Sequence, residues 1–141
     1  MKLSARALLI EGCRSVIDNG RGHSLVTDLP PKLGGDDTGP TALELVVMGL
    51  AGCVTTIFSI VAKKNRFDYE SLEVLVEAEK PDDQLTITSA RVEVRLRSPA
   101  PRSEAEKVLR LTMQNCPVGA LLEKAGVGIE LRLVHSPPSQ R

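Results

Sequence analysis

From Leu45 to Ala62 the chain runs for 18 residues without a charge, and no other feature restricts its folding as much. The run has a start and a stop. Gly39-Pro40 breaks the chain ahead of it, and Thr41 with Glu44 three residues later is the pattern of a capping box. Lys63 and Lys64 suit the negative end of a helix, and Asn65 tolerates the left-handed conformation that closes one. The spacing predicts one helix over Ala42–Lys64. At 1.5 Å per residue it is roughly 35 Å long, against a radius of gyration of about 14 Å for a domain of this size, so it spans the whole body. A helix that is apolar all round has to be buried on every side.

A bilayer is one way to bury it, because 18 uncharged residues reach the lower limit for a membrane span. The run also holds Gly49, Gly52, Thr55, Thr56 and Ser59, and the rest of the chain supplies strands that need an apolar cover. The expectation is therefore a core helix in one α+β domain over residues 1–141, shared with a second copy and with no membrane partner. Ala51 with Thr55, and Gly52 with Thr56, form small-residue rows four apart that let another backbone come close. Lys plus Arg and Asp plus Glu are 18 each, so no charge excess points to nucleic acid or an anionic surface. Two Phe, one Tyr and no Trp also speak against base stacking. No secretory signal is visible, and three cysteines without framework spacing suit a reducing cytoplasm.

In chain order, Lys2–Glu11 and Arg14–Asp18 are expected strands, and Asn19-Gly20 is a hairpin signal with Gly22–Asp28 as the returning partner. Lys32–Pro40, with Gly34-Gly35-Asp36-Asp37, is expected to be a mobile polar loop feeding the long helix. Ser71–Lys80 alternates apolar and charged residues as a half-buried strand does. Leu85 and Ile87 lie on one parity and Val92, Val94 and Leu96 on the other, which predicts a bulge near Ser89-Ala90. Ser103 with Glu106 is a second capping box, opening a helix with Ala105, Val108, Leu109 and Thr112 on its buried stripe. Pro117 at a first helical position and Gly126 past the end define a short helix with Cys116 at its N-cap. Val127–Val134 closes the fold as a further strand, the later strands being expected to pair antiparallel.

Two of the three thiols carry the chemical interest. An N-cap position turns the Cys116 sulfur toward unpaired N–H groups, which favours thiolate, although a small buried hydrophobe is an equal reading. Cys53, in the middle of an apolar helix, is expected to resist ionisation unless a cation is near. The two are 63 residues apart, so they can meet only through the fold. Two thiols in contact in a reducing cell point to redox chemistry rather than to a staple. Cys13 is read as a packed residue. His23 and His135 are the only other zinc-ligand candidates, and no pair stands at metal spacing, so no metal is expected.

Gly39-Pro-Thr-Ala-Leu-Glu-Leu-Val-Val-Met-Gly-Leu-Ala-Gly-Cys53, followed by Cys116-Pro-Val-Gly-Ala-Leu-Leu-Glu-Lys-Ala, resembles the OsmC/Ohr family of thiol peroxidases, in its OsmC-like branch. The resemblance covers nearly the whole chain. It implies an intertwined homodimer with the long helices at its centre and two sites at the interface. It implies that Cys53 is the peroxidatic thiol, oxidised by an organic hydroperoxide or hydrogen peroxide, and that Cys116 resolves the sulfenic acid as a disulfide. An external dithiol or dithiol protein would reduce that disulfide, with no cofactor. Residues sharing the Cys53 face, Gly49, Leu50, Thr56 and Ile57, would bind an apolar substrate.

The family activates its first thiol with an arginine paired to a glutamate. That glutamate stands ten residues before the cysteine, where this chain has Leu43, and Glu44 is one residue late. Nine residues on a helix are about 900° and about 13 Å, so Glu44 faces away from Cys53 of its own chain and is expected to cap. Arg14 and Arg21 both lie where the family arginine falls; Arg21 beside the hairpin turn is the candidate, with an exposed turn residue as the other reading. If the charge network is incomplete, the alternative function is a non-catalytic dimer that binds a small hydrophobic ligand.

Overall fold

The computed structural model describes residues 1–140, which form two compact units, Met1–Val46 and Val47 onward. The N-terminal unit is a three-stranded antiparallel sheet in the order β1 (Arg6–Glu11), β2 (Arg14–Asp18), β3 (Ser24–Thr27). Lys2–Ala5, expected to be strand, precede β1 without pairing. A register shift between Leu9 and Glu11 is the bulge of this sheet. The β2–β3 connection is the five-residue Asn19–His23 turn, in which Asn19 Oδ1 accepts the backbone N–H groups of Arg21 and His23.

The loop after β3, expected to be a mobile polar connector, carries a hydrogen-bonded network. Asp28 is buried, and its carboxylate accepts the N–H groups of Leu29, Asp36 and Thr38 and the Thr38 hydroxyl at 2.6 Å. Those bonds hold the Asp28 carboxyl well below the usual carboxylate range, Thr38 contributing most. The loop also depends on close approach, since a Cβ at Gly35 or Gly39 would collide with the Leu29 or Val26 carbonyl.

Helix α1 spans Ala42–Lys64, as the capping signals require. Thr41 N–H donates to Glu44 Oε1 at 3.0 Å and Glu44 N–H to Thr41 Oγ1 at 3.1 Å, the reciprocal pair of a capping box. At the other end the left-handed residue is Arg66, φ 52°, rather than Asn65. Phe67 N–H then donates to the Ala62 carbonyl, closing the helix one residue later than expected. Length and composition alone would let α1 cross a bilayer, yet Leu50, Val54, Phe58, Val61 and Ala62 are buried within the fold. Burial on every side is not what the chain achieves by itself. Val46, Met48 and Ile60 are exposed, and a Cβ at Gly49 or Gly52 would meet nothing within 4 Å.

The second unit continues with β4 (Ser71–Glu79), β5 (Ser89–Arg97), α2 (Arg102–Gln114), α3 (Pro117–Lys124) and β6 (Gly128–Ser136), and its sheet order is β4-β5-β6. β4 and β5 pair antiparallel in unbroken register, so the bulge expected near Ser89-Ala90 is absent there. Leu85 and Ile87 belong to the connection, and the parity change is simply where the strand begins. β6 pairs with β5 in parallel, not antiparallel, because α2 and α3 carry the chain back to the same end of the sheet. Helix α2 starts two residues early, with Pro101 instead of Ser103 at the N-cap and no side-chain cap. Ser103 is therefore inside the helix, and Glu106 pairs with Arg102 at 3.0 Å instead. Its buried residues are Ala105, Val108, Leu109 and Thr112, as the periodicity predicts. Val92, Val94 and Leu96 of β5 complete the core with the α1 stripe. All three aromatic rings cluster there: Phe58 meets Phe67 and Tyr69 edge-on, with centroids 6.1 and 5.6 Å away.

Candidate functional site

On α1 the buried stripe Leu50, Val54, Phe58 lies beside the open stripe Gly49, Gly52, Thr56, and Cys53 stands at the border, half-buried. Hydroxyls on the open side are spent locally, Thr55 Oγ1 donating to the Ala51 carbonyl and Ser59 Oγ to that of Thr56. The helix thus shows an apolar surface despite its polar residues.

Cys116 reaches the same border from the α2–α3 junction. Its backbone is extended, φ −85° and ψ 106°, Pro117 follows at the first helical position, and its sulfur accepts the Gly119 N–H at 3.4 Å. The N-cap geometry expected from Cys-Pro is therefore present. The two sulfurs meet: Cys116 Sγ donates to Cys53 Sγ at 3.0 Å, both thiols being free. A disulfide needs about 2.05 Å between sulfurs, so a closing movement on the order of 1 Å separates the reduced pair from a bond.

The expectation that Cys116 is the readier thiolate is overturned. Cys116 is only 1% exposed, and burial, aided by the hydrogen bond to Cys53, pushes its pKa up to about 11 against the opposing N–H groups of Gly119 and Val118. The helix end acts on it but loses to desolvation. Cys116 is the neutral, donating partner.

The other candidates are placed as follows. Glu44 is engaged in the α1 cap, where the Thr41 N–H lowers its pKa. Arg21 lies exposed in the β2–β3 turn, and among the described residues its side chain makes no ion pair. Arg14 is the partly buried arginine of that unit, bonded to Asp36 at 2.9 Å and to the Thr38 hydroxyl at 2.9 Å, with Asp28 at 3.7 Å. Gly49 and Thr56 are exposed and Ile57 is half-buried on α1. Leu50 is a correction, because at 1% exposure it is a core residue and offers no surface to a ligand. Cys13, expected to be packed, is exposed at the β1–β2 turn. His23 is bonded to Asn19, and His135 is on β6 opposite Leu96 with Nε2 buried and unpaired. Among the described residues no group of three or more His, Cys, Asp or Glu gathers at metal-binding distance. One contributor escaped sequence reasoning: the Asp28–Thr38 bond links residues ten apart in a stretch that only looked like a connector.

The chain is thus an α+β fold that brings a helix-centre thiol onto an N-cap thiol. Residues 34–132, most of the chain, match the family model described as OsmC-like protein, and the chain belongs to the OsmC-like family. Among solved structures, an OsmC-like protein from Mycoplasma pneumoniae superimposes with a TM-score of 0.86 at 16% identity, covering 96% of this chain and 97% of that one. An organic hydroperoxide resistance protein OsmC from Legionella pneumophila gives 0.74 at 18% identity, over 94% and 96%. The organic hydroperoxide resistance protein OhrB of Bacillus subtilis gives 0.65 at 18%, over 95% and 98%. At these identities the likeness is one of fold. Curated protein sequences give no match.

Proposed function

We propose that the chain is a thiol peroxidase of the cytoplasm that reduces organic hydroperoxides and hydrogen peroxide, in defence against oxidative stress. The observation that carries this reading is the 3.0 Å contact between Cys53 and Cys116. Cys53 attacks the terminal peroxide oxygen as a thiolate; the O–O bond breaks, the alcohol leaves with a proton, and Cys53 becomes a sulfenic acid. Cys116 then forms the S–S bond, and water leaves. A dithiol returns two electrons, so sulfur supplies all the redox chemistry and no metal or flavin is called for. The working unit is a homodimer, in which a second copy covers the apolar face of α1 that Val46, Met48 and Ile60 leave open. Gly49, Thr56 and Ile57 would line the approach to Cys53 for an apolar peroxide.

A second reading keeps the dimer and replaces catalysis with binding of a small hydrophobic ligand. The observation in its favour is that Glu44 is committed to the helix cap. Stopped-flow mixing of the reduced protein with cumene hydroperoxide and hydrogen peroxide separates the two. The peroxidase gives consumption at least about 100-fold faster than a free thiol, lost in Cys53→Ser. Cys116→Ser then retains one turnover and forms no intramolecular disulfide by mass spectrometry. Consumption at the rate of a free thiol would leave the ligand-binding dimer.

A further inference from the structure

We propose that reductive regeneration enters the oxidised pair through Cys53 alone, with Cys116 as the leaving sulfur held at the start of α3. This rests on the peroxidase reading for its physiological setting, and on the geometry of the two sulfurs for its direction. Thiol–disulfide exchange needs the attacking sulfur to approach along the S–S axis, from behind the sulfur it bonds to. Cys116 is the closed member of the pair: the residue is 1% exposed within its own chain, and the Gly119 N–H at the start of α3 is 3.4 Å from its Sγ. A partner subunit can cover surface but cannot uncover this residue, so in any assembly of folded chains Cys116 stays closed. Cys53 is half-buried on the border of the open face of α1, so of the two sulfurs it is the one a reductant can reach in the folded chain.

The Gly119 N–H, 3.4 Å from Cys116 Sγ, is a backbone donor to the departing sulfur, whereas burial opposes its charge, so the direction of exchange is set by access rather than by leaving-group acidity. The steps balance. One thiolate of a dithiol bonds to Cys53 Sγ, and the S–S electron pair leaves on Cys116. Cys116 takes the proton of the second thiol of the dithiol, ending as the neutral thiol its surroundings favour. A protonated Cys116 is a poor nucleophile, so it does not expel the incoming thiol again. The deprotonated second thiol then attacks the first sulfur of its own molecule, releasing Cys53 as thiolate and a cyclic disulfide.

The test uses the full chain carrying Cys13→Ser, which removes the exposed third thiol from the peptide map. The disulfide is prepared with diamide, desalted, exposed briefly to 2-mercaptoethanol, quenched in acid and capped with N-ethylmaleimide. The expected result is mercaptoethanol on the Cys53 peptide and maleimide on the Cys116 peptide, in at least about tenfold excess over the reverse. Adducts shared equally, or concentrated on Cys116, would overturn the proposal, as would failure of diamide to join the pair. Because diamide makes the disulfide without peroxide, a protein that ignores hydroperoxides loses the peroxidase reading, while the adduct position still decides this one.

Discussion

At Cys116 two effects of opposite sign act on one sulfur, and their balance sets its role. The backbone N–H of Gly119 favours thiolate, whereas removal from water favours thiol, and burial wins. A residue's place at an N-cap is legible from Cys-Pro, but the depth at which that cap is buried depends on elements far away in the chain. This is why the N-cap was foreseeable and the direction of ionisation was not. The sign of the pH effect follows. The folded-state value, about 11, lies above the ordinary value of 9.0, so the contribution to stability is complete below about pH 9 and is lost as pH rises from 9 to 11. Thermal denaturation of the reduced protein should therefore fall off more steeply across that window than that of Cys116→Ser, which has nothing to ionise. Parallel curves for the two proteins would remove burial as the cause. Glu44 teaches the converse: three-residue spacing to Thr41 is a local relation, and the reciprocal bonds formed as the spacing required.

Among the elements, α1 was legible from end to end because its signals are near one another: a cap, an uncharged run and two lysines. Which of its residues would be buried was not. A helix with apolar residues on all sides has no amphipathic stripe to read, and the stripe was decided by where Phe58 finds Phe67 and Tyr69. Phe58 is fully buried, and Phe58→Ala should cost about 3–5 kcal/mol, measured by urea denaturation. A loss below about 1 kcal/mol would mean that the aromatic cluster is not a supporting contact of the helix. The strands failed for a related reason. Alternation marks β5 and β6 correctly as strands, but it is identical for parallel and antiparallel neighbours, so pairing direction had to come from the α2–α3 crossover. The expected bulge near Ser89 mistook a strand start for an interruption, since Leu85 and Ile87 lie ahead of β5.

For the whole molecule the open face of α1 is the governing fact. The sequence demanded burial on all sides and one chain supplies it on one side; in the dimer proposed above a second copy covers the remainder. Gly52→Leu tests this cleanly, because a Cβ there meets nothing in its own chain and leucine favours helix more than glycine does. Light scattering should show the wild type at twice the chain mass and the variant at the chain mass, with unchanged circular dichroism. A monomeric wild type would end the dimer proposal. The 63-residue separation of the paired sulfurs also has a meaning in time. At about 5–20 residues per second, the ribosome needs roughly 3–13 s after making Cys53 to make Cys116. Throughout that interval a growing chain exposes the first sulfur without the second, so an oxidant present during synthesis meets a thiol that cannot be rescued. Under the peroxidase function proposed above, the chain is most vulnerable to its own substrates while it is being born.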